Sequence, residues 1–225
     1  MNENNPFEAW IQTLAGLHKS DKDAVVIITG RERTGKSTMA WTLAKRIDES
    51  FGSARMVFTG RDFMQEATKL PKGAALVLDE AIQGGFSRDA MGEQNKALAK
   101  FLIVAGERNL VSFVLFPNMR WLDPYISEHR ARWWVLVEKR GEALVHEMRR
   151  ADYRGAKPSW KRLFRIRFKP VDGPDWDTYL KAKSKLVRNV AKRSDELAYV
   201  PDDREVEDLA EKVLLVLAEP DDAEE

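Results

Sequence analysis

Four β-branched residues, Val25-Val26-Ile27-Ile28, run through Thr29 straight into Gly30-Arg31-Glu32-Arg33-Thr34-Gly35-Lys36-Ser37, and this junction constrains the fold more than any other feature. A β-branched run with no polar alternation reads as a strand buried on both faces. From Ser37 onward the period changes: Met39, Ala40, Leu43, Ala44 and Ile47 recur at helical spacing and form one apolar face. Strand, glycine turn and helix in that order open a parallel α/β unit.

The turn fits G-x-x-x-x-G-K-[ST] in full, and it stands where that pattern has a mechanism, after a strand and at a helix start. Gly30 and Gly35 let the backbone wrap so that the N–H groups of Arg31, Glu32, Arg33, Thr34 and the residues through Thr38 can point inward at phosphate oxygens. The start of the following helix favours an anion electrostatically. Lys36 is then placed for the β- and γ-phosphates and Ser37 for Mg²⁺, so ATP and Mg²⁺ are the expected ligands.

A second apolar run, Ala74 to Leu78, ends in the acids Asp79 and Glu80. The C-terminal tip of a strand in a parallel sheet lies on the edge where such a loop binds its ligand, and there Asp79 is the expected second holder of Mg²⁺. Glu80, adjacent but pointing elsewhere, is the candidate base that orients and deprotonates a water for attack on the γ-phosphate. A guanine-reading Asn-Lys-x-Asp is missing, since Asn95-Lys96-Ala97-Leu98 has no aspartate.

The rest of the first two thirds repeats the alternation. Met56 to Phe58 is a short strand candidate, and Asp62 is a plausible cap for a helix through Ala67. Leu98, Phe101, Leu102 and Ala105 have helical spacing, while Val111 to Phe116 and Trp133 to Val137 read as strands apolar on both faces. After Val137 the pattern differs. Lys139-Arg140-Gly141-Glu142 predicts a hairpin turn into Ala143 to Met148, and Leu163 to Phe168 alternates as a half-exposed strand with its arginines in water. Trp176, Tyr179, Leu180, Leu186, Val187 and Val190 form a helical stripe, and a last amphipathic helix is expected from Arg204 to Ala218. The expected divisions are a helical lead-in over 1–22, an α/β core over 23–170, and a basic helix with an acidic helical tail over 171–225.

Among the 225 residues there is no cysteine, which excludes disulfides and thiolate metal sites, and His18, His129 and His146 have no ligand-like spacing. No apolar run approaches the ~20 residues of a membrane span. Met1 to Phe7 is polar and acidic, unlike a signal peptide, so a cytoplasmic setting is the expectation. The net charge of +1 hides an asymmetry: Arg149 to Arg193 carries 15 Lys/Arg against 4 Asp/Glu, and Ser194 onward carries 2 against 13. The basic stretch interleaves Trp160, Phe164, Phe168, Trp176 and Tyr179, a composition that suits either a nucleic-acid groove or core packing. Lys181, Lys183, Lys185, Arg188, Lys192 and Arg193 are the cluster expected to meet DNA, and the acidic tail is a candidate to screen them when DNA is absent.

The glycine loop, the Asp79-Glu80 strand end and the further strand ending Phe116-Pro117-Asn118 resemble the ASCE division of P-loop ATPases. Over roughly residues 24–138 the chain is similar to the small RecA-like ATPases of the FtsK/HerA and zonula occludens toxin-like groups of viruses, prophages and plasmids. The resemblance implies an α/β fold with a mainly parallel sheet, helices on both faces and a C-terminal hairpin and helical extension. It also implies a polar sensor at Asn118, a homo-oligomeric ring, and an arginine acting on the neighbouring subunit's γ-phosphate. Arg108 is the preferred candidate for that arginine, then Arg88, then Arg130 and Arg132. The function so implied is a motor that translocates or packages double-stranded DNA. Alternatives are an assembly or secretion ATPase of the zonula occludens toxin-like kind, and a switch that binds ATP but hydrolyses it slowly.

Overall fold

The structure, a computed structural model, describes residues 5–79, 88–149 and 159–197, with the side chains of 88–95 and 190–197 outside the description. Glu80, the segment 150–158 and the expected helix from Arg204 to Ala218 lie outside it as well.

The chain divides into two compact units, Met1–Leu180 and Lys181–Glu225. The first is a mixed α/β domain built on one seven-stranded sheet, in agreement with a RecA-like core. Its strands are β1 (Ala24–Thr29), β2 (Met56–Val57), β3 (Ala75–Leu78), β4 (Val111–Phe116), β5 (Trp133–Lys139), β6 (Glu142–Arg149) and β7 (Ser159–Arg167), in the spatial order β2-β3-β4-β1-β5-β6-β7. The first five run parallel, and β6 and β7 extend the sheet antiparallel.

β1 and β4 are buried at every residue because neighbours flank both edges and helices cover both faces. Helices α1 (Pro6–Gly16), α2 (Lys36–Ile47) and the first turns of α5 (Pro174–Leu197) pack on one face, where Leu14, Met39, Leu43, Trp176 and Tyr179 meet Val26, Ile28, Val77 and Phe113. The other face takes α3 (Gly60–Lys69) and α4 (Arg88–Glu107), whose Phe63, Leu98 and Leu102 meet Val25, Ile27, Leu76 and Val114. Strand residues therefore divide by parity between two cores, and each fully buried aliphatic side chain contributes roughly 1.5–3 kcal/mol.

Several local expectations change. Thr59, not Asp62, caps α3: its side chain accepts from the Asp62 N–H at 3.1 Å and donates to the Asp62 carboxylate at 2.7 Å. Strand β5 alternates between buried and half-buried residues as far as Val137, with Trp134 and Leu136 the half-buried ones. The hairpin at Lys139–Glu142 and the wet arginines of β7 are as expected, yet Leu163 is 36% exposed. The pairing shifts between Val145↔Phe164 and His146↔Arg162, which leaves Leu163 as the extra residue of a bulge. Among the described side chains of the apolar stripe in α5, Trp176 and Tyr179 are buried, Leu186 is half-buried, and Leu180 and Val187 are exposed.

The described part of the second unit is the remainder of α5. Lys181, Lys185 and Arg188 are exposed and Lys183 is half-buried, while the side chains of Lys192 and Arg193 are among those not described. No described helix is long and apolar enough to cross a membrane.

Candidate functional site

The glycine loop leaves β1 at Thr29 and enters α2 at Lys36 at the C-terminal edge of the parallel strands. Gly30 is required there by space: a Cβ would lie 2.5 Å from the Val137 carbonyl oxygen and 2.9 Å from Thr34 Oγ1. Gly35 is required by conformation, because it caps α2 at φ 99° and ψ 28°, in the left-handed region that side chains disfavour. Arg33 also adopts a left-handed conformation, at φ 59°. Thr34 closes the loop by donating its hydroxyl to the Arg31 carbonyl at 2.8 Å. The N–H groups of Lys36, Ser37 and Thr38 belong to the first turn of α2, where no preceding helical carbonyl is in reach, so the loop ends in a donor-rich, electropositive cradle. Lys36 extends its ammonium over that cradle, donating to Gly30 O at 2.9 Å and Arg31 O at 3.0 Å. Arg31, Glu32 and Arg33 are exposed on its outer wall.

Asp79 approaches from two strands away. β4 separates β1 from β3, and the register sets Leu78 opposite Val114 and Ile28 opposite Leu115. Asp79 is thus level with the end of β1 at roughly 10 Å of backbone separation, two strand spacings. Helix α2 spans the gap by crossing over β4 toward β3. The outcome is a hydrogen bond from Ser37 Oγ to Asp79 Oδ2 at 3.0 Å, joining residues 42 apart in sequence. Asp79 is 1% exposed, and its own N–H donates to Val57 O at 2.8 Å, which fixes the acid's backbone.

A third group is present where the sequence pointed only to an apolar stripe or to an aromatic of the basic stretch: the Tyr179 hydroxyl, from α5, donates to the same Asp79 Oδ2. The Tyr179 ring is 1% exposed, stacked on Phe58 at 5.7 Å and 14°, and packed by Trp176 and Trp41 at 4.9 Å and 6.4 Å. A helical stripe marks Tyr179 as buried, but no local signal tells that its hydroxyl ends on an acid. The C-terminal strands also reach the loop. Phe168 lies 3.5 Å from where a Gly35 Cβ would be, and Arg140 in the β5–β6 turn donates to Arg33 O at 3.4 Å.

Hydroxyl and carboxylate oxygens are hard donors, the set that suits Mg²⁺, and they lie beside a cradle of backbone N–H groups that suits a polyphosphate. The donor chemistry of Ser37 and Asp79 therefore fits Mg²⁺.

The remaining candidates separate by position. Asn118 follows β4, the neighbour of β1, at the same edge as the loop; it is exposed, and its side chain accepts from the Arg120 N–H at 3.0 Å to cap the turn Met119–Trp121. Arg108 precedes β4 and so occupies the N-terminal edge, roughly 20 Å of strand away from its own chain's loop, where it donates to Leu70 O at 2.8 Å. Arg130 is at that far edge too, held by Asp23 at 2.6 Å and Leu102 O at 2.8 Å. Arg132 lies over the Trp133 ring at 4.4 Å and pairs with Glu147 at 4.0 Å. Arg88 begins α4, which runs toward the N-terminal edge before β4, so topology puts its backbone at the loop's edge; its side chain is outside the description.

Beside the site, Trp134 donates its indole N–H to Thr29 Oγ1 at 2.7 Å and stacks on His146 at 4.5 Å and 24°. Burial, the largest influence, holds the His146 imidazole below its ordinary value, and the Arg162 charge acts in the same direction.

No family model and no curated protein matches the chain. Among solved structures, the N-terminal domain of zonular occludens toxin from Neisseria meningitidis is similar at 19% identity, over 64% of this chain and 95% of that one, with a TM-score of 0.32. At that score the likeness carries no argument, and the reading of the site rests on its own geometry.

Proposed function

We propose that the chain is an ATP-hydrolysing P-loop motor that moves double-stranded DNA as a homo-oligomeric ring. The observation that supports the nucleotide part is the Ser37–Asp79 hydrogen bond at the mouth of a glycine cradle, which joins a helix start and a strand end from separate parts of the chain. In this reading the first-turn amides of α2 and the loop N–H groups hold the phosphates, and Lys36 exchanges its carbonyl partners for the β- and γ-phosphate oxygens. Ser37 and Asp79 would hold Mg²⁺, which when bound neutralises charge on the phosphate oxygens. Glu80, next after Asp79, orients the attacking water and takes its proton.

The DNA part is supported by the exposed Lys181, Lys185 and Arg188 on α5 and by the cationic excess around them. The aromatics of the basic stretch give no support to base stacking, since Phe164, Phe168, Trp176 and Tyr179 pack with one core and Trp160 with the other. Viral or mobile-element origin rests on the resemblance of motifs alone. A slow ATP switch is the second reading. It is favoured by the far-edge placement of Arg108, Arg130 and Arg132, each with a partner in its own chain. ATPase rate with and without duplex DNA separates the two. Turnover stimulated by DNA supports the motor; tight Mg·ATP binding with negligible turnover under both conditions replaces it with the switch.

A further inference from the structure

We propose that Tyr179 is a positioning residue for Mg²⁺, holding Asp79 in the orientation that the metal site requires; this rests on the nucleotide reading of the loop. Three observations carry it. The Tyr179 hydroxyl and Ser37 Oγ donate to one and the same oxygen, Asp79 Oδ2, so between them they fix the plane of a carboxylate that is 1% exposed. The ring that delivers the hydroxyl is itself fully packed, with Phe58 stacked on one side and Trp176 and Trp41 tilted around it. Lastly, Tyr179 comes from the start of α5, far along the chain from the phosphate cradle, whereas Phe58 belongs to the chain just after β2.

The chemistry follows from counting donors. A carboxylate oxygen has two in-plane lone-pair directions, so Oδ2 can accept from both hydroxyls at once. Removing the tyrosine hydroxyl leaves Ser37 as the one of these two side chains that still orients the acid, and Ser37 is a residue the metal also requires. Outer hydrogen bonds to metal-holding carboxylates commonly change metal affinity by ~10–100-fold when lost. Tyr179 would therefore set how much Mg²⁺ the site needs, while having no contact with phosphate.

The test uses the full chain, a fluorescent ATP analogue and a Mg²⁺ titration, with Tyr179→Phe beside wild type. The Phe variant keeps the stacked ring and deletes only the hydroxyl. We expect the half-saturating Mg²⁺ concentration for analogue binding to rise about tenfold, with analogue affinity in EDTA unchanged. Trp176→Phe, which loosens the same aromatic cluster without touching the hydroxyl, should leave the Mg²⁺ requirement within about twofold of wild type. An unchanged Mg²⁺ requirement in Tyr179→Phe overturns the proposal, as does an equal shift in both variants or an equal loss of binding with and without metal. Failure of wild type to bind the analogue more tightly with Mg²⁺ overturns the nucleotide reading first, and this one with it.

Discussion

The two edges of the parallel strands carry opposite kinds of chemistry. At the N-terminal edge, charges are matched inside the chain: Arg130 pairs with Asp23 at 2.6 Å, and Lys72 pairs at 3.3 Å with Asp21, which also accepts from Asn109 at 2.7 Å. At the C-terminal edge, backbone donors converge, Lys36 leans on two neutral carbonyls, and the two side chains bonded to Asp79 Oδ2 are neutral hydroxyls. An edge whose charges cancel locally stabilises the fold. At the other edge the contacts described for the lysine and the aspartate are carbonyls and hydroxyls, groups that a polyphosphate and its cation would replace or share.

Glu80→Gln gives the largest expected effect that would break this division. Turnover should fall by ~10²–10⁴-fold with nucleotide binding retained, measured as steady-state hydrolysis beside analogue titration. Unchanged turnover removes Glu80 as the base and leaves the C-terminal edge with binding groups alone. Lys36→Ala comes next: analogue affinity should drop on the order of 10–100-fold for the loss of one charge-assisted phosphate contact of roughly 1.5–3 kcal/mol. If affinity survives, Lys36 is held by its carbonyls for structure only. Arg130→Ala addresses the opposite edge, where leaving Asp23 and Leu102 O without their donor should cost about 1–3 kcal/mol in chemical denaturation and leave analogue affinity as it was.

Arg108→Ala sharpens the comparison further, since its bond to Leu70 O predicts a loss of only about 0.5–1.5 kcal/mol. A ring that uses Arg108 on a neighbour's nucleotide would add a second effect: mixing variant with wild type would lower activity non-linearly, whereas proportional dilution assigns Arg108 to its own fold. The smallest effect concerns His146. Its folded pKa is lowered, so the folded state resists the proton that the unfolded chain accepts near pH 6.5. Stability is therefore fullest above that value and declines as pH falls from about 6.5 toward the lower folded value. His146→Gln should flatten that part of a melting-temperature profile between pH 7.5 and 5; an unaltered slope assigns the pH response to other groups.

Elements with one dominant local signal were legible from residues alone. The β1–loop–α2 junction is specified by β-branching, two glycines and helical spacing, and β4 by six apolar-compatible residues stopped at Pro117. Lateral order was not legible. Nothing in Val111 to Phe116 states that this strand lies between β1 and β3, yet that placement sets the distance Ser37 and Asp79 have to span. Arg108, named for a neighbouring subunit's nucleotide, stands just before a parallel strand and so at the edge opposite its own chain's loop; topology sets that edge and does not test action in trans. Asp62 reads as a cap by residue type alone, and only the bond that its own N–H donates shows that Thr59, one turn earlier, holds that place. The site residue Tyr179 was hidden by its own ring, since burial of the ring accounts for the stripe and the hydroxyl adds no periodic signal.

The bond between Tyr179 and Asp79 spans 100 residues of chain. At ~5–20 residues per second of synthesis, the tyrosine is made roughly 5–20 s after the acid that it orients. For that interval a newborn chain owns its phosphate cradle and its aspartate but not the group that aims the carboxylate. Full avidity for magnesium would then be a property acquired late in translation, after every strand of the sheet has been made.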